Sequence, residues 1–281
     1  MGLASASGRP PQSHRIGPDG AAVATALELL PVLRDNLVPI LHNGVQAVVV
    51  DPAEAAPVAR WLQERELELV AILHTHHHSD HIGGTPGLLQ RWPAAAVVAA
   101  AADRQRIPLQ TLGVGDGDQL ELLGRRLTVL AVPGHTLHHL AYVLEPPSGA
   151  GGGRHADPSG AASGGDLFCG DSLFAAGCGR MFEGTAEQMQ ASLQRLAALP
   201  LATRVWCAHE YTEANLRWAV AVAPEDAAIR SRLEQVQALR RRGGCTIPST
   251  IALERRTNLM LMAPDAASFG RLRQHKDRFQ G

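Results

Sequence analysis

From about residue 25 the chain alternates short apolar runs, rich in Val and Leu, with polar or Gly-containing turns. This is the texture of buried strands set between helices. Strands are predicted at Ala47–Val50, Leu69–Leu73, Ala96–Ala99, Leu127–Val132, Ala141–Leu144, Leu167–Gly170 and Arg204–Cys207. A helix is predicted over Ala55–Arg65, and another starts at Gly84 and runs toward Arg91. After Gly184 the period changes: Thr185 and Gln188 form a capping box, followed by Met189, Leu193, Leu196 and Leu199 at helical spacing. Thr212 reads as the cap of a helix carrying Leu216 and Val220, and an amphipathic helix from Glu225 to Arg242 stops at Gly243-Gly244.

These patterns divide the 281 residues into a flexible tail over 1–24, an α/β catalytic domain over 25–211, and a helical domain over 212–281. The run 146–165 is Gly, Ser, Ala and Pro with almost no apolar content, so it reads as a flexible insertion between two strands. The first two dozen residues lack the continuous apolar stretch of a signal peptide or membrane span.

Composition narrows the class without naming a partner. Hydrophobic residues make up 45% and charged residues 19%, with a formal net charge of −1, which describes an ordinary globular protein and gives no sign of nucleic-acid or membrane binding. From Glu225 onward eleven Arg or Lys face six Asp or Glu, a local excess suited to an anionic ligand, and Lys276 is the sole lysine of the chain. Four scattered cysteines, with no CxxC pair, make neither a disulfide framework nor a zinc knuckle, and fit a reducing cytoplasm.

The chemistry gathers at strand ends. The run Thr75-His76-His77-His78-Ser79-Asp80-His81 follows one predicted strand, His135 follows a second, Asp171 a third and His209 a fourth. Alternate residues of an extended segment point the same way, so His76 and His78 suit one cation while Asp80 and His81 reach a second. A lone histidine is more often structural than a ligand, but seven ligand-type residues recurring at strand ends of one chain point to a metal centre. His77 should face the opposite way. His74, His138 and His139 read as supporting or packing residues, and His14, His42, His155 and His275 as surface residues.

The THxHxDH pattern, with the distant His135, Asp171 and His209, strongly resembles the metallo-β-lactamase superfamily. The resemblance implies an αββα sandwich followed here by the helical domain. It also implies one metal held by His76, His78 and His135, another by Asp80, His81 and His209, and Asp171 bridging them. A narrower resemblance, to the glyoxalase II (hydroxyacylglutathione hydrolase) family, rests on Asp35-Asn36, Val50-Asp51-Pro52, Gly113 to Asp118, Gly177 to Thr185, Cys207 to Leu216, and His275 to Phe279.

That family resemblance implies hydrolysis of S-D-lactoylglutathione to D-lactate and glutathione in methylglyoxal detoxification. It implies two divalent cations, zinc with iron or manganese as alternatives, and a bridging hydroxide with Asp80 and Asp171 in catalysis. Arg180, Phe182, Tyr211 and Lys276 become the substrate-binding positions of a cytoplasmic monomer. The chain departs from the family pattern at Leu37, at Phe182 where a tyrosine is usual, and at Met262 where the segment Asn258 to Met262 would carry an arginine. The alternatives are an iron-dependent glutathione-persulfide dioxygenase, another ester, lactone or thioester hydrolase of the same fold, and a non-enzymatic scaffold.

Overall fold

The structure is a computed structural model and describes residues 10–16, 24–146 and 164–280. The chain separates into two compact units, Met1–Ala131 with Leu140–Arg154, and Val132–His139 with His155–Gly281.

The first unit contains a six-stranded sheet in the order Ala26–Val32, Asn36–His42, Gln46–Val50, Glu68–Leu73, Ala96–Ala100 and Leu112–Val114. The first two pairings are antiparallel and the remaining three parallel. Parallel neighbours need crossovers, supplied by helix Ala55–Glu64 and by helices Ser79–Ile82 and Thr85–Arg91. Val58, Leu62 and Leu88 of these helices pack with Val38, Ile40, Val49, Leu69, Ile72 and Val97 of the sheet in one buried cluster. Each of these side chains contributes roughly 1.5–3 kcal/mol by leaving water. A second set of strands, Ser13–Ile16, Gln119–Leu122, Arg125–Ala131 and Leu140–Leu144, pairs in that order. Leu123 and Gly124 join two of them with φ values of 51° and 73°, the double positive φ of a type I′ hairpin turn.

In the second unit Asp166–Gly170 and Arg204–Cys207 run parallel, and Ser249–Thr250 pairs antiparallel to the latter. Helix Ala186–Ala197 makes the crossover, and Thr185 and Gln188 form the expected capping box at its start. Helices Thr212–Val222, Ala227–Arg240, Ile251–Thr257, Leu259–Met262 and Ala266–Asp277 follow.

Two expectations change. Ser13–Ile16 is not tail but a strand parallel to Gln119–Leu122, tied by Arg15 to Glu121 at 2.8 Å. Thr212 is the first residue of its helix rather than the cap, because its hydroxyl shares a 2.6 Å hydrogen bond with Thr246. The strands from 166 onward pair with one another and join the helices in one compact unit. The greater part of the insertion expected at 146–165, with His155, lies outside the described residues.

Candidate metal centre

The expected ligands divide between the units, His76, His78, Asp80 and His81 in the first and His135, Asp171 and His209 in the second. In the first unit strand Glu68–Leu73 delivers the histidine run at its C-terminal end, and Ser79–Ile82 turns Asp80 and His81 into a short helix. The residue that organises this cluster is Asp51. It ends strand Gln46–Val50 at a φ of 48°, a strained conformation for a non-glycine residue and one that collects at functional sites.

Asp51 accepts from the Thr75 backbone N–H at 2.8 Å and from the Thr75 hydroxyl at 2.6 Å. With its proton committed to Asp51, the Thr75 oxygen accepts from His76 Nδ1 at 3.0 Å. His81 Nδ1 donates to the same Asp51 carboxylate at 3.1 Å. Both rings therefore hold their proton on Nδ1 and keep the Nε2 lone pair for a cation. Burial of Asp51 opposes its ionisation, but the electrostatic attraction of the neighbouring His81 and His74 rings, with the hydrogen bond from His81, outweighs it and holds the carboxyl well below the ordinary range. His76 Nε2 lies 3.0 Å from His78 Nδ1, near the ~3.3 Å that separates two nitrogens on one tetrahedral cation with bonds of about 2.0–2.1 Å. Asn36 donates to both the carbonyl and carboxylate of Asp80, at 3.0 and 3.4 Å.

His77 turns away, as its alternation requires. Its Nδ1 is 3.6 Å from Asp103 Oδ2, and its Nε2 is 3.3 Å from the Arg106 guanidinium. His74 is buried, with Nε2 2.8 Å from the Thr85 hydroxyl and its carbonyl accepting from Tyr142.

In the second unit Asp171 follows a bulge between Phe168 and Gly170, a device that re-aims the next side chain. Its two oxygens face different histidines: Oδ2 is 3.5 Å from His135 Nε2, and Oδ1 is 3.4 Å from His209 Nε2. His135 Nδ1 donates to the Arg180 carbonyl at 2.7 Å, which again leaves Nε2 as the metal-facing atom. The Asp171 backbone N–H donates to His139 Nε2 at 3.2 Å. Gly179 is needed here because a Cβ at that position would collide with the Asp171 carbonyl and the His135 ring. Nitrogen and carboxylate donors at these separations suit divalent zinc, iron or manganese. The nearby thiols are engaged with backbone carbonyls, Cys169 Sγ donating to Leu173 at 3.1 Å and Cys207 Sγ to His209 at 3.6 Å, and burial pushes Cys169 well up and Cys207 up to about 12.

Residues 40–149 match the family model of the metallo-beta-lactamase superfamily, and residues 210–279 match that of the hydroxyacylglutathione hydrolase C-terminus. The chain is 55% identical over 256 residues to the hydroxyacylglutathione hydrolase of Parasynechococcus marenigrum (strain WH8102), covering 91% of this chain and 98% of that one. It is 49% identical to the corresponding protein of Synechococcus sp. (strain JA-2-3B'a(2-13)), covering 89% and 98%. The chain belongs to the hydroxyacylglutathione hydrolase family. Among solved structures it is similar to ETHE1 from Myxococcus xanthus, with a TM-score of 0.61 and 25% identity, covering 89% of this chain and 90% of that one. TTHA1623 in a di-iron-bound form is also similar, with a TM-score of 0.52 and 25% identity, covering 83% and 98%. The architecture is thus the metallo-β-lactamase fold, mixed sheets with helices, extended by the helical region of the hydroxyacylglutathione hydrolases.

The residues expected to meet a hydroxyacylglutathione all lie in the second unit. Phe182 is 64% exposed and packs edge-on to His135, with ring centroids 5.3 Å apart. Tyr211 stacks flat on His209 at 4.8 Å, and Phe174 packs edge-on to both rings. Arg180 is exposed, with Nε 3.5 Å from Asp277 Oδ1. Lys276 sits with its ammonium 5.2 Å from the centre of the Trp218 ring. Met262 is 46% exposed. One minor expectation fails, since His138 is exposed rather than packed; His275 lies at the surface as expected, its Nδ1 accepting from Trp218 Nε1 at 3.0 Å. His42 likewise pairs with Glu28 at 3.3 Å and packs against Trp61.

Proposed function

We propose that this hydroxyacylglutathione hydrolase family member cleaves the thioester of S-D-lactoylglutathione to D-lactate and glutathione, with two divalent cations as cofactors. His76, His78 and His135 would hold one cation, Asp80, His81 and His209 the other, with Asp171 shared between them. Zinc is the expected metal, and the relative in a di-iron-bound form keeps iron in view. When bound, the cations acidify a water toward neutral pH and polarise the thioester carbonyl.

The carrying observation is the placement of Asp171, one oxygen toward His135 and the other toward His209, in a chain matched over nine-tenths of its length by named hydrolases of this thioester class. Asp51 keeps His76 and His81 in the tautomer that a cation requires. Asp80, steadied by Asn36, adds a carboxylate that balances cationic charge. Arg180 and Lys276 offer positive charge to the glutathione carboxylates, and Tyr211 offers a hydroxyl and a ring edge beside His209. Phe182 lays an apolar face next to His135. The departing thiol has an ordinary pKa of about 8.5, so it leaves as thiolate without a side-chain acid.

A glutathione-persulfide dioxygenase would work with one metal and would not require the second group of Asp80, His81 and His209. The identities to curated hydrolases favour the thioesterase. Three buried cysteines, none in a disulfide, accord with a cytoplasmic site of action, and among the described residues no helix is long and apolar enough to cross a membrane. We read the active form as a monomer.

The deciding experiment is a steady-state assay of metal-analysed protein with S-D-lactoylglutathione and with a glutathione-free lactoyl thioester. A kcat/KM at least tenfold higher for the glutathione substrate supports the reading. Equal values for the two overturn glutathione as the handle. Oxygen uptake with glutathione persulfide, in place of thioester cleavage, would favour the dioxygenase.

A further inference from the structure

We infer that Asp277 is a positioning residue for substrate recognition, holding Arg180 by its Nε edge so that the terminal nitrogens of the guanidinium face the glutathione carboxylate. This inference rests on the proposed function.

Arg180 is fixed at two points. Its carbonyl accepts from His135 Nδ1 at 2.7 Å, so its backbone is tied to a metal-facing ring. Its side chain, 65% exposed, contacts Asp277 Oδ1 through Nε at 3.5 Å. An ion pair so open to water contributes little to stability. Its consequence is orientation, because a long and otherwise mobile side chain is held in one of its many rotamers.

Asp277 is itself firmly placed. The same Oδ1 accepts from Arg273 Nη2 at 2.9 Å, and Arg273 is 3% exposed and donates through Nη1 to the Cys178 carbonyl at 2.9 Å. Cys178 lies two residues before Arg180, so the buried Arg273 binds the last helix to the loop that carries Arg180. Next to Asp277, Lys276 is set over Trp218, and His275 accepts the Trp218 N–H. The helix end therefore keeps Lys276 and Arg180 in a set relation, two cations about an acid that aligns one of them. With Nε turned toward Asp277 at 3.5 Å, the fork left to a substrate is the Nη1 and Nη2 pair, which matches a carboxylate in bidentate fashion.

The test is Asp277→Asn, which keeps an oxygen acceptor for Arg273 and removes the charge that attracts Arg180. KM for S-D-lactoylglutathione is expected to rise about three- to fivefold, the most that so exposed an ion pair can supply, with a much smaller change in kcat. KM for the glutathione-free lactoyl thioester should stay within twofold. In the background of Arg180→Ala, Asp277→Asn should add nothing further, since the two residues act as one unit, and Asp277→Glu should recover most of the lost KM. A fall in KM on Asp277→Asn would show that the carboxylate repels substrate, and it would overturn the inference. Equal KM changes for both substrates, or full additivity with Arg180→Ala, would make Asp277 merely structural and overturn it as well. If the wild-type protein does not prefer the glutathione substrate, the proposed function fails. If it does prefer it and Asp277→Asn is silent, only the present inference fails.

Discussion

His81 donates its Nδ1 proton to Asp51 at 3.1 Å, and the two residues stand thirty positions apart in sequence at the ends of different elements. The same carboxylate governs His76 through the Thr75 hydroxyl. One residue outside the expected ligand set thus sets the tautomer of two of the expected ligands, an arrangement common among metal-binding histidines.

Asp51→Ala should therefore cost ten- to a hundredfold in metal affinity without removing any expected ligand. It also strands the buried Thr75 N–H, which costs about 1–3 kcal/mol of stability. The measurements are a competition titration against a chelator and a thermal melt of the metal-free protein. Unaltered affinity in Asp51→Ala would refute the orienting role. A lower melting temperature alone would not sustain it.

The histidine run makes a sharper prediction from its alternation. His76→Ala should abolish thioester hydrolysis and lower metal content, because its Nε2 converges on His78. His77→Ala removes contacts to Asp103 and Arg106 and edge-on ring packing against His76 and His78, but no expected ligand. It should keep its metal and most of its kcat, with a modest loss of stability from the buried Asp103 left with one fewer partner. Metal analysis and kcat for the two variants check the assignment, and comparable losses in both would contradict it.

The strands that deliver the ligands were legible because they are Val- and Leu-rich runs ending on His or Asp, as Glu68–Leu73 and Arg204–Cys207 show. Ala26–Val32 and Asn36–His42 are absent from the predicted strands, and each carries a proline, Pro31 and Pro39, a residue that strand interiors seldom hold. In the structure Ala26–Val32 is the sheet edge, where Pro31 is tolerated, and Pro39 lies just outside the register that pairs residues 40–42 with 47–49. The ligand residue types were legible from the motif. Asp51 was visible only as part of Val50-Asp51-Pro52, because nothing local reveals that a strand-end carboxylate will reach Thr75 and His81 across a parallel crossover. His139 was read as a supporting residue, which its bond to the Asp171 N–H bears out, but the Asp277–Arg180 pair escaped for the same reason, being a contact between segments far apart in sequence.

Lys276 supplies the pH dependence. Burial, reinforced by the neighbouring Arg273 charge, lowers its pKa from 10.5 to about 8. The shift is downward, so the folded state holds this proton less well than the unfolded chain. The resulting penalty to stability is present in full below about 8 and is relieved as pH rises toward 10.5. Recognition runs the opposite way, because a charged ammonium is what an anionic substrate needs. KM for S-D-lactoylglutathione is expected to climb severalfold as pH passes through about 8, while the glutathione-free thioester should show no such inflection. Lys276→Arg keeps its charge throughout this range, so its KM profile for the glutathione substrate should flatten. KM measured for both proteins from neutral to mildly alkaline pH decides the matter. A wild-type profile as flat as that of Lys276→Arg would remove Lys276 from substrate binding.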